Sequence, residues 1–243
     1  MNRFFIQGLA TKPGDVIIMD GENARHAIRV LRFSPGDRLV VCDGAGIDYF
    51  CEVKRVGRDG LELFVISIEE NQSEPTVEIY LFTSLLKADK MEYVVQKAVE
   101  LGVFRIYPFE SINGVARIGG DGKINRLVKI AESAAKQSGR GIIPSIDKPI
   151  QFNSAIDMAL SLKADVVLVA HEKAKVGLKK ILRDREKIKT AVIFIGPEGG
   201  FSDEEIKQME IVGIKPFLLG KCVLRAETAA VAALACVMYD LGE

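Results

Sequence analysis

The residue types that first suggest chemistry form a short turn, Gly196-Pro197-Glu198-Gly199-Gly200. It follows the apolar run Ala191–Ile195 and precedes Ser202-Asp203-Glu204-Glu205, where Ser202 can cap a helix and Glu205 can complete a capping box. Glycines after a strand let backbone approach a ligand closely, as in nucleotide-binding turns. Here, however, a pyrophosphate would meet carboxylates instead of free amides, and neither the Rossmann glycine fingerprint nor a P-loop motif occurs. The turn is either a plain strand-to-helix connection or the wall of a site whose ligand is not a phosphate.

Two further segments have the same placement. The strand pattern Lys215–Leu219 runs into Gly220-Lys221-Cys222-Val223-Leu224-Arg225-Ala226-Glu227-Thr228-Ala229, and the strand pattern Asp165–Ala170 ends in His171-Glu172. Parallel strands deliver their C-terminal turns to one edge of a sheet, where α/β proteins hold their ligands. An arginine there can stabilise charge developing on a substrate oxygen, and a carboxylate can accept a proton. Arg225 and Glu227 are the candidates for these two roles. Arg225 could equally hold the start of the last helix, while Glu227 could neutralise it or favour the first helical turn. His171 is a second candidate base, or a structural residue.

Near the N-terminus, Ala24, Ala27, Ile28 and Leu31 recur at i, i+3, i+4 and i+7, which predicts a helix with a core-facing stripe. Arg25, Arg29 and Arg32 fall on a different face, with His26 beside them. That face is either solvated charge or a phosphate-contacting patch, because guanidinium forks match phosphate oxygens. Arg140, in the glycine-flanked turn Ser138-Gly139-Arg140-Gly141, is a further candidate for phosphate contact.

The elements that must position these residues follow from the hydrophobic rhythm. Arg38–Cys42, Tyr49–Val53 and Leu61–Ile68 read as strands separated by glycine-containing turns. Glu69–Thr76 is polar and contains a proline, the most linker-like stretch of the chain. Beyond it strands alternate with helices. Strand patterns are Glu78–Phe82, Arg105–Pro108, Asp165–Ala170, Ala191–Ile195 and Lys215–Leu219. Helical patterns are Lys90–Leu101, Lys123–Ser138, Ser154–Leu162, Gly177–Lys187, Ser202–Val212 and Glu227–Asp240. Near-continuous apolar strands predict a parallel sheet covered on both faces. The expected organisation is a small β domain over residues 1–70 and an α/β domain over residues 77–243. The alanines of the last helix suit either burial within the fold or a subunit interface.

Composition sets outer limits. Of 243 residues, 48% are hydrophobic, ample for a core, and 33 Lys plus Arg balance 33 Asp plus Glu. Zero net charge excludes a broadly basic footprint, so any nucleic-acid contact must come from local patches. Four cysteines without a CxxC pair and two histidines give no basis for a zinc site, and no metal is expected. No signal peptide or membrane span is evident, so a soluble cytoplasmic protein is expected.

Taken together, IGPEGGFSDEEI and LGKCVLRAETAAVAAL resemble the signature pair of SPOUT methyltransferases. With HAIRVLRFSPGD, KMEYVVQKAVELGVFRIYP and AESAAKQSGRGIIP in matching order, the whole chain is similar to the RsmE-type small-subunit ribosomal RNA uridine-N3 methyltransferases. One departure is Ser111-Ile112-Asn113-Gly114-Val115, where that family usually carries an Arg-Ser pair. The resemblance implies a PUA-like β-barrel that helps hold RNA, followed by a SPOUT-like α/β trefoil-knot domain. It implies S-adenosylmethionine as methyl donor, bound by Ala170, His171, Glu172, Gly196, Pro197, Glu198, Gly199, Gly200, Leu219, Gly220, Val223, Leu224 and Ala229. Lys97, Glu100, Gln137 and Arg140 match motif positions, for RNA contact or bracing. A homodimer through the C-terminal domain and N3 methylation of a uridine in 16S rRNA, on the small ribosomal subunit, are also implied. The alternatives are a SPOUT methyltransferase with another RNA target and a non-catalytic RNA-binding or assembly protein.

Overall fold

The computed structural model describes residues 1–116, 120–183 and 188–241. The chain divides into two compact units. Unit 1 comprises Met1–Glu74 with Ala135–Ile143, and unit 2 comprises Pro75–Ala134 with Pro144–Glu243.

Unit 1 is built on a five-stranded sheet of β1 (Arg3–Phe5), β2 (Val16–Met19), β3 (Arg38–Cys42), β4 (Ile47–Val56) and β5 (Leu61–Glu70), in the order β1-β3-β4-β5-β2. Only β1 and β3 run parallel; the other pairs are antiparallel. Alternation along β4 and β5 sends Cys51, Val53, Leu61, Leu63 and Val65 into one core. The edge strands β1 and β2 carry little apolar periodicity, being three and four residues long, which is why sequence reading did not find them.

The arginine-bearing helix departs from the expected 3.6-residue register. A short helix α1 (Gly21–Arg25) continues into a π-helical turn, His26–Val30. Its Leu31 N–H bonds to the His26 carbonyl five residues back, and Phe33 reaches Ala27. Ala24 and Ala27 are buried as expected, but the widened turn carries Leu31 out to the surface. Arg32 ends the segment in the left-handed region, with φ 57°.

The linker-like stretch has a structural role. Glu74 accepts hydrogen bonds from the Arg140 guanidinium, at 2.7 Å from Nη2, and from the backbone N–H groups of Gly141 and Ile142. Asn71 donates to the Gly139 carbonyl and to Asp48. These bonds draw Ala135–Ile143 into unit 1, a discontinuity that the consecutive division at residues 70 and 77 did not include.

Unit 2 holds β6 (Glu78–Ser84), β7 (Arg105–Glu110), β8 (Ser145–Ile146), β9 (Ile150–Gln151), β10 (Val166–Ala170), β11 (Thr190–Ile195) and β12 (Lys215–Phe217). They form one parallel sheet in the order β12-β10-β11-β6-β7-β8, with β9 also pairing β7. Helices α2 (Ala88–Glu100), α3 (Gly120–Ser138), α4 (Phe152–Ser161), α5 (Leu178–Arg183), α6 (Asp203–Ile211) and α7 (Ala226–Leu241) connect or close it. Each expected helix is present within a few residues, and the end of the Gly177–Lys187 pattern lies outside the described residues. β11 is buried from Ala191 to Ile195, and Phe82, Phe109, Phe194 and Phe201 pack into one aromatic core. No helix among the described residues is long and apolar enough to cross a membrane.

Candidate active site

In unit 2, the C-terminal ends of β10, β11 and β12 converge on a cleft of about 210 Å3. Register explains the convergence. Ala170 pairs with Phe217, and Val169 pairs with Phe194, so the turns after these neighbouring parallel strands emerge side by side. The cleft is lined by Ala170, His171 and Glu172 from the first turn, by Gly196 to Gly200 from the second, and by Leu219, Gly220, Val223, Leu224 and Ala229 from the third. The structure thus brings every residue expected at a cofactor site to one place. Cys222, within the loop Leu219–Leu224 that the resemblance assigns to the donor, lines it too, whereas Ile195, Phe201, Phe217, Leu218 and Ala226 also line it and were not anticipated. The signal that could have found Phe201 is its position immediately after the glycine turn.

The glycines have distinct physical causes. A Cβ on Gly196 would lie 2.9 Å from the Phe201 ring, which is buried and stacked on Phe109. Gly196 is therefore the space that lets Phe201 anchor the turn. Gly200 has φ 73°, a conformation that favours glycine. A Cβ on Gly199 would come within 3.3 Å of Asn113, and Asn113 Nδ2 donates to the Gly200 carbonyl at 3.1 Å. The segment that departs from the family pattern is thus packed on the turn.

The carboxylates around the turn, expected to repel a pyrophosphate, are largely engaged with partners of their own. Ser202 and Glu205 form the expected capping box. Glu205 is also 1% exposed and accepts from Ser111 Oγ at 2.9 Å and from the Ile112 N–H, so it faces inward. Asp203 pairs with Lys173 at 2.9 Å in solvent. Of the turn and helix-start acids, Glu198 alone lines the cleft, and Lys90 of α2 holds it at 3.2 Å. The same ammonium lies 3.5 Å from Glu227 Oε2, an oxygen that is buried and accepts no hydrogen bond. Sequence reading missed Lys90, which sits more than a hundred residues before its partners.

The chemistry of the third turn suits S-adenosylmethionine. Among the described residues, the backbone of Leu219, Gly220, Lys221, Cys222 and Val223 makes no hydrogen bond, leaving amides and carbonyls available to an adenine edge. A Cβ at Gly220 would meet nothing within 4 Å, so the cleft has room there. Arg225 is exposed, immediately before α7, and its guanidinium makes no ion pair among the described residues. His171 Nδ1 is buried without a hydrogen bond, 3.4 Å from a Glu172 oxygen. Among the described residues no group of His, Cys, Asp and Glu could hold a metal ion.

The expected RNA-contacting residues separate into two classes. Arg25, His26, Arg29 and Arg32 are exposed in unit 1. Arg140 is not: it is 3% exposed and its fork is held by Glu74, so the expectation that it contacts RNA is replaced by a bracing role. Lys97 and Glu100 pair with each other at 2.7 Å.

Comparison with known proteins gives the same pattern over the whole chain. The family model for an RNA methyltransferase domain matches residues 72–238, and that for an RNA methyltransferase PUA domain matches residues 19–66. The ribosomal RNA small subunit methyltransferase E of Mesomycoplasma hyopneumoniae is 37% identical over 69% of this chain and 72% of its own. That of Mycobacterium bovis is 31% identical over 92% of this chain and 86% of its own. The crystal structure of the Neisseria gonorrhoeae enzyme, bound to S-adenosyl methionine, superposes with a TM-score of 0.89 at 27% identity, covering 100% of this chain and 98% of that one. A PUA domain thus precedes an α/β RNA methyltransferase domain, and the chain belongs to the ribosomal RNA small subunit methyltransferase E family.

Proposed function

We propose that this protein transfers a methyl group from S-adenosylmethionine to N3 of a uridine in 16S rRNA, acting on the small ribosomal subunit in the cytoplasm. The observation that carries the reading is the cleft at the ends of β10, β11 and β12, lined by every residue that the family resemblance assigns to the methyl donor. Bound there, S-adenosylmethionine supplies an electrophilic methyl group. The glycine turn after β11 and the unpaired backbone of Leu219 to Val223 hold and orient it.

The uridine nitrogen must lose a proton as its new bond forms. Glu227 offers a buried carboxylate oxygen that no donor satisfies, the feature a proton acceptor needs. Lys90 keeps that group and Glu198 charge-compensated until substrate arrives. To Arg225 falls the stabilisation of charge on the uracil oxygens, a reading supported by its exposure, its uncommitted guanidinium and its position just before α7, beside the residues lining the cleft. Arg25, His26, Arg29 and Arg32 supply phosphate contacts from the PUA unit. Exposed Tyr239 on α7 and Val223 in the third turn offer apolar surface to a second copy, and a homodimer would be read directly by light scattering.

The decisive experiment is mass spectrometry of 16S rRNA from cells lacking the protein, with and without the gene restored. Loss and return of one methyl group on a uridine base is expected. An unchanged methylation map would overturn the reading. Tritium transfer from labelled donor to isolated small subunits and to naked rRNA then separates the two forms of substrate.

A further inference from the structure

Unit 2 carries a second, larger cleft of about 690 Å3 that, apart from His171, neither the sequence motifs nor the proposed chemistry uses. Lys173, Lys175, Lys180 and Lys215 line it, against Glu210 as the one acidic side chain. In a chain whose acidic and basic residues balance, such a convergence of one sign is a local departure. Lys173 pairs with Asp203, but Lys175, Lys180 and Lys215 make no ion pair or side-chain hydrogen bond among the described residues.

The cleft is a fixed feature. The Leu218 N–H donates to Val176 at 2.9 Å and the Leu178 N–H to Leu218 at 3.1 Å, so the loop after β10 is pinned onto the chain leaving β12. Lys175 rides on that loop, Lys180 on the short helix it leads into, and Lys215 opens β12, an edge strand reachable from outside. The two clefts also share a wall. His171, whose side chain is 9% exposed and whose Nδ1 has no hydrogen-bond partner, lines both.

We infer that this lysine-lined cleft of the methyltransferase unit is a track for the phosphate backbone of the substrate RNA, carrying it past His171 to the methyl-donor cleft. The inference rests on the proposed rRNA methylation and extends it. Base methylation requires the flanking backbone to be held while the target base enters the site, and contacts to phosphate fix register without reading sequence. A concave surface with unpaired ammonium groups, adjoining the donor cleft, is the form such a contact takes. The exposed arginines of the PUA unit are then a second, separate RNA contact.

The test compares K175A/K180A/K215A with a control that removes the same charge elsewhere, K123A/K129A/K163N, both in the full-length protein. Binding to 16S rRNA is measured as a function of salt, and methyl transfer is measured on naked rRNA and on isolated small subunits. Removing three ammonium groups from the track should reduce the slope of log K against log salt by about 2 and raise the KM for RNA about tenfold. S-adenosylmethionine affinity by calorimetry should stay at the wild-type value, as should kcat at saturating RNA. A slope and KM equal to wild type, or a change no larger than that of the control, overturns the inference. So does a variant that loses activity on small subunits alone while its binding to naked rRNA is intact, because the cleft would then face an acidic protein surface. If wild-type protein methylates no small-subunit RNA, the proposed function fails, and the salt slope still decides whether the cleft binds RNA.

Discussion

Lys90 of α2 donates a 3.2 Å hydrogen bond to Glu198, 108 residues further along the chain, and so ties the first helix after β6 to the glycine turn of the cleft. Burial opposes ionisation of Glu198, but its own backbone N–H and the Lys90 ammonium outweigh that and hold its carboxyl below the usual range. The same ammonium faces Glu227 at 3.5 Å. One cation thus balances two carboxylates, of which Glu198 lines the cleft and Glu227 is the proton acceptor proposed above.

Lys90→Met should therefore lower stability by about 1 kcal/mol at neutral pH, discounted for partial exposure of the pair. The sign with pH follows from the depressed Glu198 pKa. Its contribution is complete above the unfolded carboxyl value and is lost as pH falls through the lower folded value. The gap in Tm between wild type and K90M should close as pH drops below about 4. A gap that stays constant from pH 7 to pH 3 would mean that Lys90 acts through packing alone.

Substitutions in the turn should separate folding from binding. Gly196→Ala forces a Cβ to 2.9 Å from Phe201 and should unseat that ring, lowering Tm and donor affinity together. Gly199→Val places its Cβ against Asn113, with a closest approach of 3.3 Å. It should weaken S-adenosylmethionine binding in calorimetry by at least about tenfold, through loss of the turn's geometry. Wild-type affinity in G199V would remove the turn from the binding site.

Arg225 tests the electrostatic half of the mechanism. Because it is exposed and unpaired among the described residues, its removal leaves no orphaned partner and should hardly change Tm. Arg225→Ala should lower kcat about 100-fold with unchanged donor affinity, the size expected for losing one transition-state donor. Full turnover in R225A, measured by tritium transfer to small subunits, would refute the assignment.

How much of this was legible in the sequence depends on how local each feature is. The capping box Ser202–Glu205 and the strand-turn-helix around Gly196–Gly200 are written in consecutive residues, and the structure has both. The convergence of the three turns was legible because parallel strands of near-continuous apolar character leave few alternatives. Features that depend on distant residues were not. Lys90 reaches Glu198 from the helix after the neighbouring strand β6, Glu74 captures Arg140 from 66 residues away, and Glu205 turns inward because Ser111 meets it. The π-helical turn at His26–Val30 was invisible for another reason: hydrophobic spacing was read at 3.6 residues per turn, and one widened turn displaces everything after it.

Glu205 is consequently a stability residue at the edge of the site. It closes the capping box, and its buried oxygens also accept from Ser111 and Ile112, which follow β7. Glu205→Ala strands those donors and should cost about 3 kcal/mol, whereas Glu205→Gln keeps the shape and some of the bonds and should cost less. Denaturant titration of both variants checks the order. Equal, small losses would show that the Ser111 segment is held by other contacts.

The Arg3–Asp48 pair makes the same kind of argument for unit 1, with a pH signature. Asp48 is buried, which opposes its charge, yet Arg3, the Cys42 thiol and Asn71 all donate to it and hold its pKa below the usual carboxylate value. Burial and Asp48 in turn push the Cys42 thiol up to about 12, so it remains a protonated donor throughout the working range. Because the folded pKa of Asp48 is depressed, the stabilisation is complete above the unfolded value and disappears as pH falls through the folded one. Asp48→Asn leaves the Arg3 guanidinium, 14% exposed, without its counter-charge and should cost about 3 kcal/mol at pH 7. Urea unfolding of wild type and D48N should therefore differ most at neutral pH and converge below about pH 3. Parallel curves across that range would show that the pair contributes through shape and not through charge.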